Sequence, residues 1–166
     1  STGAYNRNYF DKIIEEEIQK CDRYEFPSSL IIFVLDRFKM INDIFGYSCG
    51  DNIIKLVAEL VMHNIRKTDV FARWSGAAFV ILMTHIEEND AMTAAEKIRL
   101  EIANYDFGIG RSVTASFGVA QYLVGEPFVN WLKRADGALK IAKNDGRNKS
   151  VIASGLVKKN NVINLE

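Results

Sequence analysis

The stretch Val70-Phe-Ala-Arg-Trp-Ser-Gly-Ala-Ala-Phe-Val-Ile-Leu-Met83 decides the fold of this chain. Two apolar runs, Val70–Trp74 and Phe79–Met83, flank a segment of small residues, Ser75–Ala78. Short β-forming runs separated by a small turn containing glycine predict a β-hairpin. Because the two strands of a hairpin are antiparallel, this stretch argues against a purely parallel sheet.

The segments around the hairpin alternate between helical and strand patterns. Helices are predicted from Asn6 or Asn8 to about Tyr24, over Asp36–Asp43 with Gly46 closing the end, from near Gly50-Asp51 through Asn52–Ile65, over Asn89–Ala103 with Asn89 as cap, and over Val129–Ala142. Strands are predicted over Leu30–Leu35, which reads as covered on both faces, Ser112–Tyr122 and Ser150–Ala153.

The order αβααββαβαβ, with room for short extra strands near Phe107, predicts one domain over residues 1–153. Its fold class is α/β (α+β), with a central mixed, mostly antiparallel sheet and helices on both faces. Residues 154–166 are polar and are predicted to form an irregular C-terminal tail.

Composition narrows the function classes. The chain has 166 residues, of which 48% are hydrophobic and 25% charged, with 21 basic and 21 acidic residues. Zero net charge disfavours generic nucleic-acid or anionic-membrane binding, whereas a small anionic ligand needs only a local basic cluster. Two cysteines, no signal peptide and no apolar run of about 18 residues indicate a cytoplasmic domain that does not itself contact a membrane. The abrupt start suggests a module of a longer protein, whose parent could be membrane-bound.

Several motifs in one order resemble the GGDEF domains of the diguanylate cyclase family. Arg73-Trp-Ser-Gly-Ala-Ala-Phe79 is similar to R-[YW]-G-G-[DE]-E-F, and Asp36-Arg-Phe-Lys-Met-Ile-Asn-Asp-Ile-Phe-Gly-Tyr-Ser-Cys-Gly-Asp51 resembles D-x-D-x-F-K-x-x-N-D-x-x-G-H-x-x-G-D from its second Asp. Thr2–Phe10, Ser116–Val119, Ala135–Leu139 and Ala142–Asn148 resemble further family motifs. The resemblance runs from Thr2 to about Ile152 and implies a nucleotidyl cyclase-like fold.

The resemblance also implies that the catalytic metal centre is missing. The family binds metal through the first Asp of D-x-D and the second acidic residue of the signature turn, where this chain has Val34 and Ala78. Ser75 and Ala77 replace the turn's first Gly and first acidic residue. Mg²⁺ prefers oxygen ligands, which valine and alanine side chains do not supply. We therefore expect no metal cofactor and no catalytic residues, and Asp36 alone does not make a metal site.

The family's nucleotide-binding positions are better preserved. The resemblance implies that Asn42 and Asp51 bind the guanine edge and that Lys39, Lys143 and Arg147 bind phosphate, with Phe38 as a further nucleotide-binding residue. The alternative is structural: a helix-end Asn, an N-cap Asp, and solvated surface cations.

Arg66-Lys-Thr-Asp69 precedes the hairpin and resembles the R-x-x-D inhibitory site, where the family binds cyclic di-GMP. Lys97 stands where an assisting Arg often lies. A bare R-x-x-D is common, so its position before the signature turn is what makes it informative.

The sequence therefore predicts a catalytically inactive, degenerate GGDEF domain in a larger bacterial-type signalling protein with linked sensor or effector domains. Two functions remain open for it: binding cyclic di-GMP or binding GTP. The alternatives are a ligand-free dimerisation or interaction scaffold, with a homodimer possible, and a residual diguanylate cyclase that joins two GTP molecules.

Overall fold

A computed structural model describes residues 6–154 of the chain. Its centre is a five-stranded mixed sheet with strand order β2-β3-β1-β4-β5. The strands are β1 (Ser28–Leu35), β2 (Val70–Ser75), β3 (Ala78–Thr84), β4 (Ala115–Gln121) and β5 (Ser150–Ile152). Three neighbouring pairs are antiparallel, and β4 pairs with β5 in parallel. The predicted hairpin and the mixed, mostly antiparallel sheet are confirmed.

Five helices cover the sheet in residues 6–154. They are α1 (Arg7–Tyr24), α2 (Phe38–Phe45), α3 (Tyr47–Asn64), α4 (Glu88–Asn104) and α5 (Phe128–Asn144). One face of the sheet packs against α1 and α5, and the other packs against α2, α3 and α4. The prediction of helices on both faces is confirmed.

Strand β1 is buried along most of its length, with Val34 half-buried, and its sequence is correspondingly apolar. Leu30 and Ile32 belong to the core under α1 and α5, whereas Ile31 and Phe33 belong to the core on the other face. Successive side chains of a strand point to opposite faces, so a strand covered on both sides must be apolar throughout. The ring of Phe33 also stacks between two neighbouring strands, 5.2 Å from Phe79 and 4.7 Å from Phe117 between ring centroids.

Several boundaries differ from the sequence predictions. Helix α2 begins at Phe38 because the Asp36 backbone N–H pairs with Thr114 O and Arg37 has a left-handed φ of 55°. Helix α3 begins at Tyr47, which places Asp51 inside the helix and removes its predicted alternative role as an N-cap. Asn89 lies inside α4 and does not cap it. Asn6 is confirmed as the cap of α1, because its side chain accepts a hydrogen bond from Tyr9 N–H at 2.9 Å.

The remaining differences are small. Strand β1 begins two residues earlier than predicted, at Ser28, and β4 begins later, at Ala115. The described part of the chain has no strand near Phe107. Within it, no helix has the length and apolar character required to cross a bilayer. The predicted tail beyond Ser154 lies outside the described residues, while Ser154 itself donates a hydrogen bond to Glu88 Oε1 at 2.7 Å.

Candidate functional site

The candidate site lies at the end of the sheet where the central strand β1 terminates. Leu35 N–H donates to Ala77 O in the β2–β3 turn at 3.1 Å, and Asp36 N–H donates to Thr114 O ahead of β4 at 2.8 Å. Asn148 N–H, in the loop after α5, donates to the Asp36 carboxylate at 3.0 Å. The end of β1, the hairpin turn, the segment entering β4 and the loop after α5 therefore form one continuous rim.

The hairpin turn is tight and closed by its own residues. Strands β2 and β3 are joined through Gly76 and Ala77, and Gly76 has a φ of 45°, which glycine adopts with little strain. Arg73 Nε donates to Gly76 O at 2.7 Å. The turn is thus ordered by backbone geometry and an arginine, without a carboxylate.

The two positions at which the family binds metal lie side by side on neighbouring strands. Val34 and Ala78 are Cα partners in the β1–β3 pairing and both line a cleft of about 430 Å³ between the hairpin and α5. Asp136 also lines this cleft, but its carboxylate is paired with Lys140 at 3.1 Å. Because the paired positions carry hydrocarbon side chains, the residues present do not fit Mg²⁺. The loss of metal binding itself stays a prediction.

Asp36 is a structural residue of the rim. Its carboxylate is buried and accepts hydrogen bonds from Thr114 Oγ1 at 2.7 Å, Ser116 Oγ at 2.6 Å and Asn148 N–H at 3.0 Å. These three donors come from β4, the segment before it and the loop after α5. The Asp36 oxygens are therefore engaged in holding the rim together.

The predicted guanine residues meet between α2 and α3. Asn42 packs against Gly50 so closely that a Cβ on Gly50 would lie 1.9 Å from Asn42 Oδ1 and 3.0 Å from Phe38 Cζ. Asn42 Oδ1 is buried and has no hydrogen-bond partner among the described residues. Asp51 follows Gly50 on α3 and is exposed. An acceptor buried without a partner costs free energy unless a ligand donor reaches it.

The three predicted phosphate ligands are not gathered in one described cavity. Lys143, on α5, lines the cleft that also contains Val34 and Ala78. Arg147 lines a second, smaller cavity, and Lys39 is exposed on α2. The role of all three residues in binding phosphate stays a prediction.

Two arginines that the sequence analysis did not select share the second cavity with Arg147. They are Arg37, which follows Asp36, and Arg111, which precedes β4. Arg37 stands at an unspecified position of the D-x-D-x-F-K pattern, and Arg111 lies in none of the quoted motifs. The two residues are far apart in the chain and approach each other through the β1–β4 pairing.

The predicted inhibitory-site residues Arg66 and Asp69 bind each other. Asp69 is buried and accepts hydrogen bonds from Arg66 N–H at 2.8 Å and from Arg66 Nη2 at 2.9 Å. Arg66 Nη2 also donates to Thr84 O at 2.6 Å, yet the Arg66 side chain remains 48% exposed. Lys97 is exposed on α4, and within residues 6–154 it forms no hydrogen bond or ion pair with Arg66 or Asp69.

A tyrosine with a raised pKa, Tyr122, lies at the end of β4 opposite the rim. Burial, together with a hydrogen bond from Tyr122 Oη to Asp22 Oδ1 at 2.7 Å, raises the pKa of Tyr122 to about 12. Burial likewise raises the pKa of the nearby Cys21 thiol. This polar pair fastens α1 to the end of β4 and was not predicted from sequence, because Asp22 and Tyr122 are distant in the chain.

Comparison with known proteins gives a consistent family. The family model "Diguanylate cyclase, GGDEF domain" matches residues 1–149. The chain is 36% identical over 152 residues to Diguanylate cyclase DgcM of Escherichia coli (strain K12), and this match covers 92% of this chain and 37% of DgcM. It is 34% identical over 155 residues to Diguanylate cyclase DosC of the same strain, covering 89% of this chain and 33% of DosC. The chain thus spans about a third of the length of these relatives.

Solved structures show the same fold. The GGDEF domain of DgcB from Caulobacter crescentus in complex with c-di-GMP matches with a TM-score of 0.86 and 28% identity, covering 92% of this chain and 93% of that one. Diguanylate cyclase SiaD in complex with its activator SiaC from Pseudomonas aeruginosa matches with a TM-score of 0.87 and 32% identity, covering 91% and 59%. The fold class expected from the sequence is confirmed.

Proposed function

The chain belongs to the GGDEF domain family of diguanylate cyclases, and from this membership we propose that it is a catalytically inactive member that binds a guanine nucleotide. One observation supports the proposal: the guanine-binding part of the site keeps a polar group for a ligand, whereas the metal-binding part has lost its ligands. The guanine half presents a buried, unpartnered Asn42 Oδ1, whereas the metal half places Val34 opposite Ala78.

The proposed inactivity follows from charge. Joining two GTP molecules is a phosphoryl transfer, in which metal ions neutralise the developing charge and activate the attacking hydroxyl. The hydrocarbon side chains at 34 and 78 cannot ligate such metal ions. The Asp36 carboxylate already accepts three hydrogen bonds. Incubation with GTP and Mg²⁺ or Mn²⁺ should give no cyclic di-GMP by chromatography. Product formed at a rate typical of enzymes would identify the domain as a residual cyclase.

The proposed guanine recognition uses the chain's own acceptors. Guanine presents N–H donors that an amide oxygen and a carboxylate can accept, here Asn42 Oδ1 and Asp51. The absence of a Cβ at Gly50 leaves room for the Asn42 side chain between the helices. Adenine lacks the same donor pattern, so a site built from these acceptors discriminates against ATP.

Calorimetric titration of GTP and ATP tests this recognition. The Asn42→Ala variant should lose about tenfold in GTP affinity, or roughly 1.4 kcal/mol, because one buried hydrogen bond disappears. Asn104→Ala, at the exposed end of α4, is the matched control and should bind GTP like the parent. Equal affinity of the parent for GTP and ATP would contradict guanine recognition.

A second candidate ligand is cyclic di-GMP at Arg66 and Asp69. The observation that favours it is the half-exposed Arg66 guanidinium, held in a fixed orientation by a buried carboxylate and by Thr84 O. A planar, oriented guanidinium suits a guanine edge or a phosphate. The structure of DgcB with c-di-GMP makes the same ligand class reasonable for this domain.

Paired variants test the second candidate. Arg66→Ala should weaken cyclic di-GMP binding at least about tenfold, and Lys67→Ala, which removes the neighbouring exposed cation, should leave it unchanged. Circular dichroism and melting curves must show that both variants are folded, since Arg66→Ala also deprives buried Asp69 of its partner. Unchanged affinity in folded Arg66→Ala would place the ligand elsewhere.

The proposed biological role is regulation inside a larger protein. The relatives are about three times longer than this chain, so linked domains are expected, and the complex of SiaD with its activator offers a precedent for partner control. If neither GTP nor cyclic di-GMP binds at millimolar concentration, the domain acts as a dimerisation or interaction scaffold, which sedimentation of the isolated domain would examine.

A further inference from the structure

The cleft between the β2–β3 hairpin and α5 is open and mostly apolar. It encloses about 430 Å³, which lies within the usual size range of small-molecule sites. Val34 lines it and is the one residue of β1 that is only half-buried, so the cover of this strand ends at the cleft. The hydrocarbon lining comes from the sheet, with Ile32, Val34, Trp74 and Ala78, and from α5, with Leu132 and Leu139.

Trp74 marks the end of the cleft at the start of α5. The centroid of its ring lies 6.5 Å from that of Phe128, the first residue of the helix. Arg7 lies over the Trp74 ring, with its Cζ 3.9 Å from the ring centroid. Lys133, five residues after Phe128, also lines the cleft. This end therefore combines an aromatic wall with two cations.

The charged groups of the cleft leave an excess of positive charge. Lys133 and Lys143 line it, and within residues 6–154 neither forms an ion pair. Asp136 is the carboxylate among the described lining residues, and it is paired with Lys140 at 3.1 Å. The floor of the cleft, where the two family metal positions hold hydrocarbon side chains, adds no negative charge that would repel an anion.

We propose that this cleft binds an aromatic carboxylate, with its ring against Trp74 and Leu132 and its carboxylate on Lys133. A ring covers the apolar lining and removes it from water, whereas a hydrated phosphate group leaves that lining exposed. A single ammonium group beside the ring then orients the ligand through a charge-assisted hydrogen bond. Lys143 lies ten residues further along α5, about 15 Å by the rise of the helix, so a small carboxylate contacts one lysine and not both.

Titration with cinnamate, followed by nuclear magnetic resonance, tests the cleft. The chain has two tryptophans, and the indole N–H signal of Trp74 should shift saturably. The signal of Trp131, which is buried and donates to Ala120 O at 2.8 Å, should stay in place and serves as the internal control. Two analogues separate the ring from the charge: neutral cinnamamide should bind at least about threefold more weakly, and acetate should cause no saturable shift.

Matched variants assign the contacts. Lys133→Ala should weaken cinnamate binding at least about threefold and change cinnamamide binding by less than about twofold, because it removes the charge-assisted contact alone. Leu132→Ala should weaken both ligands, since each loses apolar contact with its ring. Lys55→Ala is the charge-matched control: Lys55 is exposed on α3, which packs on the other face of the sheet, and cinnamate affinity should stay within about twofold of the parent. Melting curves show whether every variant is folded.

Three results would overturn the proposal. The first is no saturable shift of the Trp74 signal at tens of millimolar cinnamate. The second is equal affinity for cinnamate and cinnamamide, or an equal loss in Lys133→Ala and Lys55→Ala, either of which removes the specific role of Lys133. The third is a shift of the Trp74 signal when the protein is concentrated without ligand, which would assign the cleft to a second copy of the chain.

This proposal does not rest on guanine recognition. The residues proposed for that function, Asn42 and Asp51, lie on α2 and α3, on the other face of the sheet. Failure of GTP to bind would contradict guanine recognition and leave the cinnamate result unaffected, and a failed cinnamate titration would leave guanine recognition standing.

Discussion

At the scale of single residues, Asp36 shows how the rim has kept its architecture without the signature carboxylates. It accepts hydrogen bonds from two hydroxyls and one backbone amide of segments that are distant in the chain. A buried carboxylate that satisfies three donors contributes to stability through each of them. The same engagement explains why Asp36 is a poor candidate for binding metal.

Replacing Asp36 tests this structural role. Asp36→Ala leaves Thr114, Ser116 and Asn148 N–H without their acceptor, and we expect the free energy of unfolding to fall by about 2–4 kcal/mol. Urea denaturation followed by circular dichroism measures the change. Asp43→Ala, at an exposed position of α2, should change stability by less than about 0.5 kcal/mol. Similar stabilities for the two variants would contradict the structural role.

At the residue level, motif positions can identify residues that lie close together in the fold. Val34 and Ala78 were selected from their places in two separate motifs, and the structure makes them partners across β1 and β3. Arg37 and Arg111 were missed because neither carries a local signal, and their proximity arises from pairing between strands. Nor does sequence indicate that Asn42 Oδ1 is left without a partner, since that depends on the side chains around it.

At the scale of elements, the contact of β4 with α5 has no room for a side chain at Gly118. A Cβ there would lie 2.1 Å from Ala135 O and 2.5 Å from Leu139 N, both of them backbone atoms of α5. Backbone atoms of a packed helix cannot move aside without displacing the whole element. Gly118 therefore sets the separation between the sheet and the helix that carries Lys143.

A pair of glycine substitutions measures this contact. Gly118→Ala should destabilise the domain by about 3 kcal/mol or more, because α5 must move away from β4. Gly137→Ala, on α5 with nothing within 4 Å of the added Cβ, should instead stabilise it by about 0.5–1 kcal/mol through helix propensity. Denaturation curves of the two variants give both signs, and a small effect of Gly118→Ala would show that the packing can adapt.

The attachment of α1 to the end of β4 predicts a dependence of stability on alkaline pH. The pKa of Tyr122 is about 12 in the folded protein, against about 10 in an unfolded chain. The neutral phenol is therefore favoured by folding, so its stabilising contribution is complete below pH 10 and declines as pH rises from 10 through 12. Absorbance of tyrosinate should show a late phase from a tyrosine that ionises well above pH 10, and Tyr122→Phe should abolish that phase. A tyrosine titration without a late phase would contradict this arrangement.

Predictions of elements from sequence were reliable for their type and order but less so for their ends. The hydrophobic pattern identified every helix and strand of the described chain. Helix α2, however, begins at Phe38, two residues after the predicted start at Asp36, because Asp36 and Arg37 adopt conformations required by the rim. Tertiary hydrogen bonds of this kind override local sequence signals for a helix start, such as an aspartate at position 36.

At the scale of the whole molecule, the balance of charge hides a local asymmetry. The chain has zero formal net charge, yet Arg37, Arg111 and Arg147 share one cavity and Lys143 lies in the neighbouring cleft. A phosphate-bearing ligand at the rim would meet protein cations where active relatives of the family are expected to supply metal. Net charge therefore says little about ligand charge in this protein, and the arrangement of cations around the rim says more.

This arrangement predicts that stabilisation by GTP is independent of magnesium and sensitive to salt. A ligand at tenfold excess over its Kd adds about 1.4 kcal/mol, which raises the Tm of a domain of this size by roughly 3–6 °C. We expect the same shift in Mg²⁺ and in chelator, because no carboxylates at 34 and 78 hold a metal beside the phosphates. Raising the salt concentration should reduce the shift, since screening weakens the contacts of exposed cations with phosphate. Melting curves with GTP and ATP under these conditions measure all three effects, with ligand-free curves at each salt concentration as the control. A GTP shift that disappears in chelator would mean that the rim binds metal after all, through ligands other than the two altered positions.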